Sequence, residues 1–168
     1  MKIVPITQFG EFTAGFRNIR TQLDGEEGVF DLVPEQLLPA GSVESGETLP
    51  ELKRLLNSSS LVVEGATLLR LRFSWLLAIA ADYDIDVDLF GGLGKTWRDA
   101  PRLPGSNASY PLVEVTDSPW KAQLPEWRAR DNPDVRHIRM IGAIVSFDVL
   151  GELESGEWLE NPHAHFPH

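Results

Sequence analysis

The sequence predicts a single α+β domain in which a mainly antiparallel β-sheet carries two or three short helices. Three observations favour this class. Several segments alternate apolar and polar residues, as half-buried strands do. Only short stretches have helical spacing, and strands do not alternate regularly with helices, which argues against a doubly wound fold. We expect residues 1–160 to form one globular domain and residues 161–168, which contain three histidines and two prolines, to form a loose tail.

The composition is that of an ordinary globular protein, but the charge is unusual. Of the 168 residues, 42% are hydrophobic and 24% are charged, which suffices for a core and argues against wholesale disorder. The 25 acidic and 15 basic residues give a net charge of −10 at pH 7. Such a charge repels nucleic-acid phosphates and anionic membranes, and it attracts basic proteins or metal cations.

Missing sequence features exclude several kinds of chemistry and location. The chain has no cysteine, so disulfides, thiolate catalysis and thiolate metal sites are excluded. Residues 1–10 lack the apolar core of a secretory signal. The longest apolar stretch, 73–81, is too short for a membrane-spanning helix, which needs about 20 residues. We therefore expect a soluble, cytoplasmic protein that binds neither membranes nor nucleic acid.

The first part of the chain predicts two strands with a helix between them. A short strand is expected over 29–33, after a turn-like acidic segment. Thr48 and Glu51 have the spacing of a capping box, and the leucine stripe that follows predicts a short helix. Residues 61–63 are all apolar, and we interpret them as a buried strand.

The segment 66–82 allows two interpretations. Residues 68–73 alternate, which favours a strand, whereas residues 75–81 are rich in alanine and leucine, which favours a helix. A buried helix over the whole segment is narrowly favoured over an antiparallel hairpin that turns near Ser74.

The most regular pattern is DYDIDVDL, residues 82–89. As a strand, it places four aspartates on one face and four apolar or aromatic side chains on the other. Neighbouring carboxylates would lie about 7 Å apart and repel each other by only about 0.6 kcal/mol in water, so a solvated or salt-bridged face is favoured. The alternatives are contact with a basic protein or a Mg²⁺ site at Asp84, Asp86 and Asp88.

The second part predicts two strands around an interrupted helix. A short strand over 112–115 precedes a helix in which Ser118 is the N-cap and Pro119 the first residue. Pro125 interrupts or bends that helix. Residues 135–150 form the longest strand candidate; Gly142 is its candidate bulge, and Ile141, Ala143, Val145, Phe147 and Val149 share a face.

No catalytic motif accompanies these elements. The glycine-rich segment 91–96 has Leu89 where a phosphate-binding loop requires glycine, so we interpret it as a turn. His137 is the only histidine in a predicted element, and no serine stands in a nucleophile motif. We expect it to be a strand histidine bonded to the backbone. No catalytic residue, metal ligand or cofactor is assigned.

Binding residues are predicted from the aspartates and from tryptophans. Five tryptophans are many for this length, and three of them lie near basic residues in loops or short helices. Such mixtures are typical of protein-binding hot spots, with core packing as the alternative. The predicted binding residues are Asp84, Asp86, Asp88, Trp97, Trp120 and Trp127.

Together these features predict an acidic protein-binding module that engages a basic protein partner. Proteins of the immunity or inhibitor type offer an analogy in size and charge only. The alternative is a metal-dependent hydrolase or transferase that uses the aspartate cluster, with His137 nearby. Since no complete catalytic set is visible, the binding module is favoured over an enzyme.

Overall fold

The computed structural model describes residues 2–12, 14–38, 61–64, 67–82, 101–103, 105 and 108–161. These residues form eight strands and two short helices. In chain order they are β1 (Lys2–Pro5), β2 (Phe16–Asp24), β3 (Glu27–Leu38), β4 (Leu61–Glu64), β5 (Thr67–Asp82), β6 (Leu112–Thr116), α1 (Pro119–Ala122), α2 (Glu126–Asp131), β7 (Arg136–Ile141) and β8 (Ser146–Glu160).

The strands form one antiparallel sheet. Its order is β1–β6–β7–β8–β5–β3–β2, and β4 pairs with β3 outside this path. The predicted antiparallel sheet with short helices is thus confirmed for the described residues, in which strands far outweigh helices. Neither helix among these residues has the length and apolarity needed to cross a membrane.

The β2–β3 hairpin and β5 form one side of the sheet. The hairpin turns at Gly25, whose φ of +61° suits glycine. β3 is longer than the predicted strand over 29–33, because it pairs with β2, β4 and β5 along its length. Arg70 lies directly opposite Asp31 and donates from Nε and Nη2 to both carboxylate oxygens at 2.7 Å. This hydrogen bonding raises the pKa of the Arg70 guanidinium above its ordinary value.

The favoured helix over 66–82 is wrong, since β5 is a single strand of 16 residues. The alternation within 68–73 was the correct signal, and Leu69, Leu71 and Phe73 are buried on the core side. The alanine-rich part continues the strand because β8 pairs with it as far as Asp82, and pairing outweighs a weak helix propensity. The alternative hairpin is also wrong: the register shifts between Ser74 and Ala78, but the chain does not reverse.

Residues 135–150 form two strands, which corrects the single long strand predicted for them. Ile141 at the end of β7 pairs with Ser146 at the start of β8, so the chain reverses over 142–145. Gly142 lies in this turn and is not a bulge within a strand. A Cβ at Gly142 would collide with the carbonyl oxygen of Val145. The predicted common face breaks at the turn, where Ala143 is exposed.

The core is formed by large apolar side chains of the central strands. Fully buried members are Phe30, Leu32, Leu69, Leu71, Leu112, Ile138, Met140 and Val149. The sheet curls so that the start of β2 meets the turn after β7, where the Ala143 N–H donates to the Phe16 carbonyl at 2.8 Å. This curl encloses the aromatic residues Phe12, Phe16 and Tyr110.

Other predicted elements divide into those that the structure describes and those outside the described residues. The strands over 61–63 and 112–115 are confirmed as β4 and β6. Four predicted elements lie outside the described residues. They are the helix from Thr48, the acidic strand beyond Asp82, the glycine-rich turn over 91–96 and residues 162–168 of the predicted tail.

Candidate functional site

Two of the six predicted binding residues lie in the described part of the chain, and they have different surroundings. Trp120 on α1 packs edge-on against the His137 ring, with 5.3 Å between centroids. Trp127 on α2 is 56% exposed. The other four, Asp84, Asp86, Asp88 and Trp97, lie outside the described residues.

The local sequence explains why these tryptophans are separated. Ser118 caps α1, as predicted: its Oγ accepts hydrogen bonds from the backbone N–H groups of Trp120 and Lys121 at 3.1 and 3.3 Å. Pro125 then separates α1 from α2, because proline has no N–H with which to continue a helix. The result is two short helices of four and six residues, with one tryptophan on each.

A groove of about 220 Å³ lies between α2 and the irregular part of β5, and we call it the tryptophan groove. It is lined by Trp75, Leu77, Trp127, Arg128, Glu26, Asp131 and Asn132. Trp75 is 49% exposed. The groove therefore brings two exposed tryptophans together with two carboxylates, which is unusual for a surface without a binding role.

The backbone at Trp75 is strained. Its φ of +46° is rare for a bulky residue and coincides with the register shift in β5. The next residue, Leu76, donates its N–H to the Glu26 carbonyl at 2.8 Å. This bond fastens the irregular segment to the β2–β3 turn, so Trp75 and Glu26 are held on the same side of the groove.

The groove combines aromatic faces with charges of both signs. The Arg128 guanidinium lies 5.5 Å from the Trp127 ring centre, a cation–π distance. Arg130 Nε contacts Asp131 Oδ1 at 3.1 Å in an exposed pair. Trp127 was predicted to bind, but Trp75 was not. The available signal for Trp75 is a lone tryptophan between Ser74 and an aliphatic run over 76–81.

A second cluster lies beneath α1. It consists of Ser118, His137, Arg139 and Asp148, each at most 3% exposed. Ser118 Oγ lies 2.6 Å from His137 Nδ1, and His137 Nε2 lies 2.9 Å from Asp148 Oδ1. Arg139 Nη1 donates to Asp148 Oδ2 at 2.7 Å. We call it the serine–histidine–aspartate cluster.

The hydrogen-bond partners constrain the protons in this cluster. Arg139 donates to Asp148, whose carboxylate oxygens accept. Nε2 of His137 then donates to Asp148 Oδ1. In the neutral form of the ring, Nδ1 accepts from the Ser118 hydroxyl, whose oxygen also accepts the two backbone bonds of the cap.

The cluster corrects the interpretation of His137. This residue lies on a strand as predicted, but its ring nitrogens contact side chains from α1 and β8 instead of the expected backbone. The sequence interpretation missed Ser118, which was explained by capping alone, and Asp148, which was assigned to the same strand as His137. The β7–β8 turn brings Asp148 beside His137, and the start of α1 brings Ser118 to the other ring nitrogen.

Within the part of the chain that the structure describes, no group of three or more histidines, aspartates or glutamates could hold a metal ion. Asp84, Asp86 and Asp88, the residues of the alternative Mg²⁺ site, lie outside that part. None of the family models, curated proteins or solved structures compared with this chain matches it.

Proposed function

We propose that this protein is an acidic binding module for a basic protein partner, and that the tryptophan groove is part of its docking surface. The observation that carries the proposal is the pairing of exposed Trp75 and Trp127 beside Glu26 and Asp131. Tryptophan is enriched among the residues that dominate binding energies. The net charge of −10 would steer a basic partner toward this protein and speed association.

The groove suits an arginine or lysine side chain of the partner. Indole faces attract a guanidinium or ammonium, and a nearby carboxylate completes the contact. The Arg130–Asp131 pair does not block this role, because both side chains are more than half exposed. Such pairs contribute about 0–1 kcal/mol, so a partner cation can replace Arg130 beside Asp131.

The remaining predictions fit the same proposal. Asp84, Asp86, Asp88 and Trp97 are proposed to extend the docking surface, and Trp120 supports it indirectly by packing α1 against His137. We propose a cytoplasmic location and no nucleic-acid partner, since phosphates are repelled by the acidic charge.

Replacing Trp127 with alanine should weaken binding of a basic peptide at least about tenfold, because it removes one of the two aromatic faces. The probe is a deca-arginine peptide, titrated by calorimetry at low and high salt, with deca-glutamate for comparison. Trp75→Ala should have a similar effect. Higher salt should weaken wild-type binding.

The matched control is Trp158→Ala, since Trp158 is 44% exposed and does not line the groove. Its variant should bind as the wild type does. Equal losses in all three variants would place binding elsewhere, and binding of deca-glutamate as tight as that of deca-arginine would contradict the proposal.

A melting experiment tests the alternative, a metal-dependent hydrolase or transferase at the aspartate cluster. We expect Mg²⁺, Mn²⁺ or Zn²⁺ to leave the melting temperature unchanged. A specific site filled at one hundred times its Kd would add about 2.7 kcal/mol to the free energy of unfolding. A rise of several degrees that is lost in Asp86→Asn would favour the enzyme.

A further inference from the structure

We propose that Ser118 is a nucleophile activated by His137, and that the protein hydrolyses small neutral esters at the surface depression beside α1. This activity goes beyond the binding role and does not depend on it. Acyl transfer by serine needs a hydroxyl, an imidazole that accepts its proton and a carboxylate that orients the imidazole. The serine–histidine–aspartate cluster contains these groups in that order.

The geometry gives each group its role. Nδ1 of His137 lies 2.6 Å from Ser118 Oγ, within reach for proton transfer when the ring is neutral. Asp148 accepts from Nε2 at 2.9 Å, which keeps the ring in this tautomer and stabilises the imidazolium that forms. Arg139 holds the other oxygen of Asp148. Asp148 and Arg139 are therefore positioning residues.

Access comes from an open depression of about 460 Å³, lined by Asp117, Ser118, Lys121 and Ala122. Asp117 has a φ of +52°, a left-handed conformation that costs energy in a residue other than glycine. It turns the chain between β6 and α1 directly before the serine. A strained turn between a strand and a helix is one way in which proteins present a nucleophile.

The depression also indicates the substrate class. Ser118 is only 3% exposed, so a short acyl group can reach it more easily than a long or branched one. Asp117 and Lys121 contribute one charge of each sign, and Lys121 Nζ already donates to the Val135 carbonyl. A neutral ester of a short-chain acid fits this lining better than an anion or a cation.

The reaction balances with water as the second reactant. An Oγ lone pair of Ser118 attacks the ester carbonyl carbon, and the hydroxyl proton passes to Nδ1 of His137. Collapse of the tetrahedral intermediate breaks the carbon–oxygen bond to the alcohol, which leaves with the proton from Nδ1. Water then attacks the acyl-serine by the same route, which releases the carboxylic acid and restores the Ser118 hydroxyl.

A fluorophosphonate tests whether Ser118 is a nucleophile. The experiment uses the wild-type protein and therefore does not depend on the folding of a variant. The reagent exchanges its phosphorus–fluorine bond for a bond to the serine oxygen and releases fluoride. We expect one adduct per chain, mapped by peptide mass to Ser118 and absent when the protein is unfolded in urea. Ser155 is the internal control, since it is exposed on β8 and outside the cluster. Hydrolysis of p-nitrophenyl acetate should stop on labelling.

Variants then separate the roles within the cluster. His137→Gln should lower the labelling rate about 10²–10⁴-fold, the usual contribution of a general base. Asp148→Asn should change the pH dependence of labelling, whereas a merely structural loss would lower the rate equally at every pH. Melting curves identify variants that do not fold.

Three outcomes would overturn the proposal. They are a folded wild-type protein without an adduct at Ser118, labelling of Ser155 at the same rate, and a folded His137→Gln variant that is labelled as fast as the wild type. None of them bears on the peptide-binding experiment, which tests a different surface.

Discussion

Replacing Asp148 with alanine should lower the free energy of unfolding by about 3–5 kcal/mol, because it breaks a buried ion pair from one side. Arg139 and Asp148 are each about 1% exposed or less, so the guanidinium would keep its charge in the interior without this carboxylate. His137 would lose its Nε2 acceptor as well. Urea unfolding followed by circular dichroism measures the change.

The control for this prediction is Asp131→Ala. Asp131 also pairs with an arginine, but at the surface, where removal should cost about 0–1 kcal/mol. A double variant, Asp148→Leu with Arg139→Met, should cost less than the sum of its single changes, because the two residues share one interaction. An Asp148→Ala protein as stable as Asp131→Ala would show that the buried pair contributes little.

Phe30→Ala should lower the free energy of unfolding by about 3–5 kcal/mol, the usual loss when a large aromatic residue is removed from a core. Phe30 is fully buried on β3, and its ring makes edge-to-face contacts with Phe73 and Phe147 at 5.4 and 5.9 Å between centroids. These contacts join three strands, β3, β5 and β8. The urea midpoint should fall while the m-value stays constant.

Leu23→Ala provides the comparison, since Leu23 is 49% exposed near the end of β2. This variant should lower the free energy of unfolding by no more than about 0.5 kcal/mol. If both variants unfold at the same urea concentration, the core does not centre on Phe30.

Local chemistry predicted the elements that depend on neighbours in sequence. Ser118 followed by proline predicted a helix start, and the hydroxyl indeed accepts the first backbone bonds of α1. The alternation within 68–73 predicts a strand, and in β5 Leu69, Leu71 and Phe73 are buried whereas Arg70 and Arg72 are more exposed. These signals succeed because capping bonds and side-chain alternation are properties of a few adjacent residues.

Elements that depend on distant pairing could not be predicted. The turn over 142–145 contains no proline, asparagine or aspartate, so only Gly142 marked it, and one strand was predicted in place of two. The second half of β8 is acidic and does not resemble a strand, but it pairs with β5, which places Glu157 beside Arg72 at 3.5 Å. Leu153 in this half also packs against the core.

The candidate sites also depend on pairing between segments that are distant in the sequence. Once the chain turns between Ile141 and Ser146, the register places Arg139 opposite Asp148, and the buried ion pair follows from that register. Without the turn, Asp148 was one more acidic residue on a long strand. The tryptophan groove likewise depends on an irregularity within β5. Tryptophan does not favour positive φ, so this conformation at Trp75 is a tertiary effect that the local sequence does not predict.

The outermost strands of the sheet determine how this molecule can meet others. β1 has only four residues and ends in Pro5, which has no hydrogen to donate. At the opposite border, β2 carries Arg17 and Arg20, and its pairing is irregular between Phe16 and Asn18. Charge, proline and irregularity are the means by which natural proteins discourage the addition of another strand. Along these two edges of the described sheet, the addition of another strand is thereby disfavoured.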